Sequence, residues 1–201
     1  MSSKNSGSGK GLLVILSAPS GCGKTSIVER LLKRHPDWVR SISATTRAPR
    51  IDEKDKEDYF FLPRQEFERL IADGKILEHA TIYGNLYGTP RDFVMTHISQ
   101  GKIVILTIDV QGTKQVMKSW NKEETFLSVF ILPPSVKALR ERLKGRNTET
   151  PEEIEKRIEI AQDEIKAATL YDKTVINQNL DQAVMEVENI ILNFFKKRRT
   201  E

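Results

Sequence analysis

Apolar and polar positions alternate along this chain in two rhythms. Short apolar runs at Leu12–Leu16, Ile103–Ile108 and Leu127–Leu132 have the pattern of strands buried on both faces of a parallel sheet. Each is followed by a helical period. Ile27, Val28, Leu31 and Leu32 share one face of a helix over 25–34. Ile154, Ile158, Ala161 and Ile165 form the stripe of a long helix from Pro151, with Thr150 as its N-cap, proline at the first position and Glu152 and Glu153 in the first turn. A last helix over 180–195 presents Val184, Val187, Ile191 and Phe194 on one face. Alternating strands and helices predict an α/β fold around a parallel sheet.

Residues 44–90 break the rhythm. ATTRAPRIDEKDKEDYFF is charged and loop-like, and KILEHATIYGNLYGTP reads as short strands or a hairpin, so a small inserted lobe is expected there. Residues 1–10, rich in Ser and Gly, are expected to form a disordered tail. No internal repeat is present.

Composition narrows the function. With 201 residues and 38% hydrophobic content, the chain can bury one sizeable core. Its net charge of +4 sits partly in the run Lys196-Lys197-Arg198-Arg199. Elsewhere basic residues are not interleaved with aromatics along one element, so no nucleic-acid surface is expected. Cys22 is the one cysteine, which suits a reducing compartment. The run Leu12–Leu16 is too short for a signal segment, and no apolar stretch is long enough to span a membrane. The expectation is a soluble, cytoplasmic protein, a monomer or a small homo-oligomer.

The strongest chemical signal is SAPSGCGKTS at 17–26, which follows a strand and opens a helix. It matches the phosphate-loop pattern GxxxxGK[ST] except that Ala18 replaces the first glycine. Such a loop curls successive backbone N–H groups around a phosphate at a helix N-terminus. The ATP-binding set is then Ser20, Gly21, Cys22, Gly23, Lys24, Thr25 and Ser26, with Lys24 reaching the outer phosphates and the Thr25 hydroxyl placed for Mg²⁺. Ala18 is harmless if its φ is negative, which is the expectation. A thiol at Cys22, near Lys24 and a helix N-terminus, is a candidate redox sensor, but a side chain pointing away from the loop is the simpler reading. Gly7-Ser8-Gly9-Lys10 imitates half a loop without a preceding strand.

A phosphate acceptor needs a second site. Arg47 and Arg50 suit bidentate capture of a phosphate dianion, or else face solvent. Tyr59 and Tyr87 offer hydroxyls. SATTRAPR, EDYFF, ILEHATIYGNLYGTP, IDVQG and GRNTET occur in this order, and together with the phosphate loop the chain from 12 to about 179 resembles the guanylate kinase family. The resemblance implies a P-loop nucleoside monophosphate kinase. Its core would comprise 11–43, 91–140 and 158–195, its GMP-binding lobe about 44–90 and its helical lid about 141–157. The implied reaction is ATP + GMP giving ADP + GDP with Mg²⁺, with dGMP an open alternative acceptor. The other reading is a guanylate-kinase-like scaffold without turnover, a type of domain that typically loses the phosphate loop or lid arginines; both are kept here.

The resemblance also implies roles. Glu78 and Asp109 would accept from the guanine N1–H and 2-amino group, and Ser43 would donate to O6. Arg47, Arg50, Tyr59, Tyr87 and Thr89 would cradle the GMP phosphate. Arg142, Arg146 and Arg157 would join Lys24 in stabilising the transition state, and Asn177 would lie near the adenine of ATP. Asp109 ends an apolar strand, where a carboxylate either approaches Mg²⁺ or caps the next helix. Thr107 stands where the family commonly has another Asp. A GMP phosphate is largely a dianion at neutral pH and attacks without a general base, so His35, His79 and His97 are expected to be structural or surface residues.

Overall fold

The computed structural model describes residues 11–120, 126–145 and 150–200. The disordered tail expected at 1–10 and the lid arginine expected at Arg146 lie outside the described residues. Strand β1 (Leu12–Ser17) is wholly buried, as its unbroken apolar run requires. Helix α1 (Lys24–Arg34) follows it directly. Strands β2 (Val39–Arg40), β7 (Ile103–Thr107), β8 (Phe126–Leu132) and β9 (Lys173–Ile176) join β1 in a parallel sheet of order β2-β7-β1-β8-β9.

Side-chain alternation sorts β1 onto two cores. Leu12, Val14 and Leu16 pack with Ile27 and Leu31 of α1, Ile154 and Ile158 of α6 (Pro151–Lys166), and Val187 and Ile191 of α7 (Leu180–Thr200). Leu13 and Ile15 face the other way, toward Val94 of α3 (Arg91–Ser99) and Val116 of α4 (Val110–Ser119). Helix α5 (Val136–Lys144) adds Leu139 and Leu143 to the first core. α6 starts as its sequence predicts: the Thr150 hydroxyl accepts from Glu153 N at 3.3 Å and the Glu153 carboxylate accepts from Thr150 N at 2.8 Å.

The second sheet has the order β4-β3-β6-β5, from β3 (Ala44–Thr45), β4 (Phe60–Phe61), β5 (Ile76–Ile82) and β6 (Asn85–Pro90). β5 and β6 form an antiparallel hairpin. Its turn uses left-handed backbone at Tyr83 (φ 48°) and Gly84 (φ 79°), the geometry that two-residue hairpins favour. Helix α2 (Arg64–Ala72) places Phe67 in this lobe's own small core with Ala44, Ile76 and Leu86. One clamp ties lobe to core: the Gln115 side chain on α4 accepts from His79 N at 3.0 Å and donates to His79 O at 2.9 Å.

The final helix runs to Thr200 instead of stopping near Phe195, so part of the basic run is helical, and Arg198 donates to the Gly11 carbonyl at 3.3 Å. β2, β9 and α2 go beyond the sequence reading. None of the described helices is long and apolar enough to cross a membrane.

Candidate active site

The chain leaves β1 at Ser17 and reaches α1 through a loop with two left-handed glycines, Gly21 at φ 86° and Gly23 at φ 83°. Only glycine adopts such angles without strain. Among the described residues, the non-glycines at positive φ are Lys56 and Tyr83, so Ala18 lies on the negative side, where alanine costs nothing. Its methyl packs in the core. The loop therefore needs glycine at 21 and 23 but not at 18.

Gly23 is constrained twice, because a β-carbon there would stand 2.6 Å from the Asn177 amide nitrogen. Gly23→Ala is expected to cost about 1–3 kcal/mol in stability and to weaken ATP binding. Thermal unfolding with and without ATP measures both, and an unchanged melting temperature would contradict this account.

Lys24 Nζ donates to the Ile108 carbonyl at 3.3 Å. Burial pulls its pKa down, while the nearby carboxylates of Asp109 and Glu164 oppose that shift. Thr25 is exposed on the first helical turn, and Ser20 accepts from Arg157 at 3.1 Å. A cleft of about 750 Å³ opens over Ser20, Gly21, Gly23, Lys24 and Thr25, with Ile160 and Glu164 of α6 on its wall. Ser26 lines it too, as does Ile82 at the lobe's hairpin. Cys22 is fully buried and its thiol is pushed up to about 12, chiefly by burial. Buried and with its pKa raised, it lacks the thiolate character that a redox-sensing cysteine relies on, and its backbone is the part placed to serve a phosphate.

Two of the expected site residues make contacts that the sequence does not foretell. Asn177, expected near adenine, is 4% exposed beneath the loop and donates through Nδ2 to the Cys22 carbonyl at 2.8 Å. Arg142, expected to be a lid arginine, donates to the Asn177 carbonyl at 2.7 Å. Both positions are 155 and 35 residues from their partners in sequence, which local patterns do not register.

The second site lies on the lobe. Ser43, Tyr59, Thr107 and Glu53 line a pocket of about 350 Å³. Arg47 donates bidentately to Glu53 at 2.8 Å on both arms, and its guanidinium lies 5.4 Å from the Tyr59 ring centroid and 5.7 Å from that of Phe61. Glu53 also accepts from Arg50 N at 2.8 Å. The Arg47 hydrogen bonds, with the Arg50 N–H, draw the Glu53 carboxyl down to about 2. Arg50 itself is exposed, and Tyr87 meets Tyr59 edge-on at 6.1 Å. Arg47, Tyr59 and Tyr87 are thus gathered in one place, with Glu53 on the fork that an incoming anion would use.

Glu78 stands on β5, 8% exposed. Burial raises its pKa, against a lowering hydrogen bond from the Thr89 hydroxyl at 2.7 Å. Thr89, expected in the phosphate cradle, is fully buried and spends its hydroxyl proton on Glu78. Glu78 Oε2 approaches α4 at Gly112, where an added β-carbon would lie 3.0 Å from it. Asp109, exposed at the end of β7, caps α4 by accepting from Gly112 N at 2.7 Å, so both carboxylates converge on one helical turn. Beneath it a hydroxyl network ties the ends of two strands together. Ser17 donates to Ile108 O at 2.7 Å, Tyr171 to Thr113 at 3.0 Å, and Thr113 to Asp109 O at 2.8 Å.

Glu53, Glu164, Gln115 and Gly112 were absent from the sequence-derived site. Glu164 shares a helical face with the predicted stripe residue Ala161, three positions earlier, a hint that it turns inward. Glu53 lies in a run of charge that carries no period.

The family model described as guanylate kinase matches residues 10–193. Guanylate kinase of Synechocystis sp. is 46% identical over 182 residues, covering 90% of this chain and 94% of the relative. That of Carboxydothermus hydrogenoformans is 45% identical, covering 90% and 88%. The crystal structure of guanylate kinase from Anaplasma phagocytophilum superposes with a TM-score of 0.71 at 33% identity, over 95% of this chain and 90% of that one.

Proposed function

The chain belongs to the guanylate kinase family, and from that premise we propose how its residues divide the transfer of a phosphoryl group from ATP to GMP. It is an ATP:GMP phosphotransferase on a P-loop kinase fold. One observation carries the assignment of roles: donor and acceptor elements meet at the C-terminal end of β7. There Lys24 bonds Ile108 O, and Asp109 and Glu78 both converge on Gly112. In open α/β sheets that end of the strands is where ligands bind.

On this reading Lys24 and the loop N–H groups of 20–26 hold the ATP phosphates. Thr25 offers an exposed hydroxyl oxygen on the first turn of α1, a hard donor of the kind Mg²⁺ takes alongside substrate phosphates. Thr25 would therefore hold that ion, which neutralises charge on the transferring group when bound. Glu78, Asp109 and Ser43 read guanine, with Thr89 orienting the Glu78 carboxylate. Arg47, Arg50, Tyr59 and Tyr87 receive the GMP phosphate, the dianion displacing Glu53 from the Arg47 fork. A phosphate oxygen of GMP then attacks the γ-phosphorus in line as the bond to the β-phosphate oxygen of ATP breaks, leaving ADP. No proton needs to move first. Arg157 and Arg142, with Arg146, supply positive charge around the phosphoryl group, and α5 and α6 carry the lid that excludes water. A chain with one cysteine suits a reducing compartment, and we place the reaction in the cytoplasm.

Specificity follows from the pattern of acceptors and donor in Glu78, Asp109 and Ser43. AMP lacks an N1–H for Glu78 and brings an amino group to the Ser43 side, leaving polar groups unpaired. In a coupled assay GMP is expected to exceed AMP, CMP and UMP by roughly a hundredfold or more in kcat/KM. Equal turnover of AMP would refute the roles given to Glu78, Asp109 and Ser43.

A further inference from the structure

Asn177 makes one more contact than a space-filling residue needs. Its backbone N–H donates to Leu132 O at 2.8 Å at the end of β8, and its carbonyl accepts from Arg142 of α5 at 2.7 Å. Its side chain therefore stands on a fixed base. From there Nδ2 donates to Cys22 O at 2.8 Å and lies against the Gly23 α-carbon. Oδ1, also buried, has no partner among the described residues. The donor half of the amide is used, and the acceptor half is not.

The Cys22 carbonyl and the Gly23 N–H belong to one planar trans peptide, so they point in opposite directions. A donor that holds the carbonyl down toward Asn177 therefore aims the Gly23 N–H away from it. Gly23 lines the cleft. At φ 83° Gly23 has no side chain to help set this orientation and no capping side chain of its own.

We propose that Asn177 is a positioning residue for phosphoryl transfer: by anchoring the Cys22–Gly23 peptide it aims a loop N–H at the donor's phosphates, and it serves every nucleoside triphosphate alike. Arg142 links this anchor to α5, so loop curvature and lid helix share one support. The inference rests on the reading of the cleft as the ATP site.

The test uses the full chain with Asn177→Ala and Asn177→Asp, and compares ATP with ITP, which lacks the 6-amino group. For Asn177→Ala, kcat/KM is expected to fall about ten- to a hundredfold for both donors equally, the size of effect of an unpaired buried carbonyl, while the calorimetric Kd for GMP stays within about twofold. Asn177→Asp keeps the volume and loses the donor, so it is expected to be impaired at least as much. Three results would overturn the proposal: a loss for ATP with ITP untouched, which would mean that the side chain reads adenine; a lower melting temperature with unchanged kinetics; or an Asn177→Asp enzyme that behaves as the parent. Should Asn177→Ala not fold, Asn177→Asp decides by the same ratios. A parent chain that phosphorylates GMP with neither donor would refute the roles assigned above; the anchor is then still judged by the calorimetric Kd for ATP in parent and variant.

Discussion

A Lys24→Ala enzyme is expected to bind GMP as the parent does and to form GDP about a thousandfold more slowly or worse, the scale seen when a preorganised charge at a transferring phosphoryl group is removed. The side chain sits on the first turn of α1, and its ammonium donates to the Ile108 carbonyl. That carbonyl keeps a second donor, the Ser17 hydroxyl at 2.7 Å, so the truncation leaves no orphaned acceptor and little folding cost. The groups proposed to hold GMP lie on β3, β4, β5 and β6 with their loops, apart from Asp109 at the start of α4, and none of them bonds Lys24, which is why acceptor binding should survive. Single-turnover GDP formation and calorimetry with GMP separate the two effects. Loss of GMP binding together with turnover would show that the Lys24 ammonium had been given the wrong task.

Glu78→Gln should act on the acceptor side. One carboxylate oxygen accepts from Thr89 and the other abuts Gly112, so the group is held with little room to turn. A glutamine must present its NH₂ either to the Thr89 hydroxyl or to the N–H edge of guanine. Turned to Thr89, the NH₂ makes that hydroxyl swing round and accept, and guanine meets a neutral carbonyl in place of a carboxylate; turned to guanine, it sets a donor against a donor, so kcat/KM for GMP is expected to drop about ten- to a hundredfold with KM for ATP unchanged. Stability should move the other way. Burial raises the Glu78 pKa in the folded protein, so the fold favours the protonated acid. Its contribution is fully present below the ordinary carboxylate value and is lost as pH rises through the raised one. The parent should therefore lose melting temperature relative to Glu78→Gln between pH 4 and the neutral range. A gap that stays constant with pH would show that this carboxyl carries no such cost. If Glu78 reads guanine as proposed, the site gives up stability to keep a charge there.

Much of this was legible in residues near one another. The buried run of β1, the glycines at 21 and 23, and the Thr150–Glu153 cap are local patterns, and the structure uses them as local patterns. Even Ala18 could be judged in advance, because φ rather than residue identity is what that position needs. What escaped notice was set by pairs far apart. Asn177 reads as a residue between strand and helix until its amide meets Cys22. Thr89 and Glu78 lie on paired strands with a register shift in β5, so their contact does not follow from simple alternation. α2 was overlooked for a different reason. Phe67, Leu70 and Ile71 do carry a helical spacing, but the stretch is short and set among charges, where a nine-residue period is weak.

The separation between Cys22 and Asn177 also bears on how the protein is made. β1 has to wait for β7 and β8, paired at Leu12↔Ile103 and Leu13↔Phe126, and the loop beyond β1 has to wait for its anchor 155 positions later. The lobe hairpin, by contrast, closes across Ile82↔Asn85. Local pairing forms early and distant pairing late, and a growing chain offers its N-terminal parts first. On the ribosome, then, the hairpin that carries Glu78 can take shape while the loop around Gly21 and Gly23 is still unheld, and that loop reaches its finished form only after Asn177 has been made.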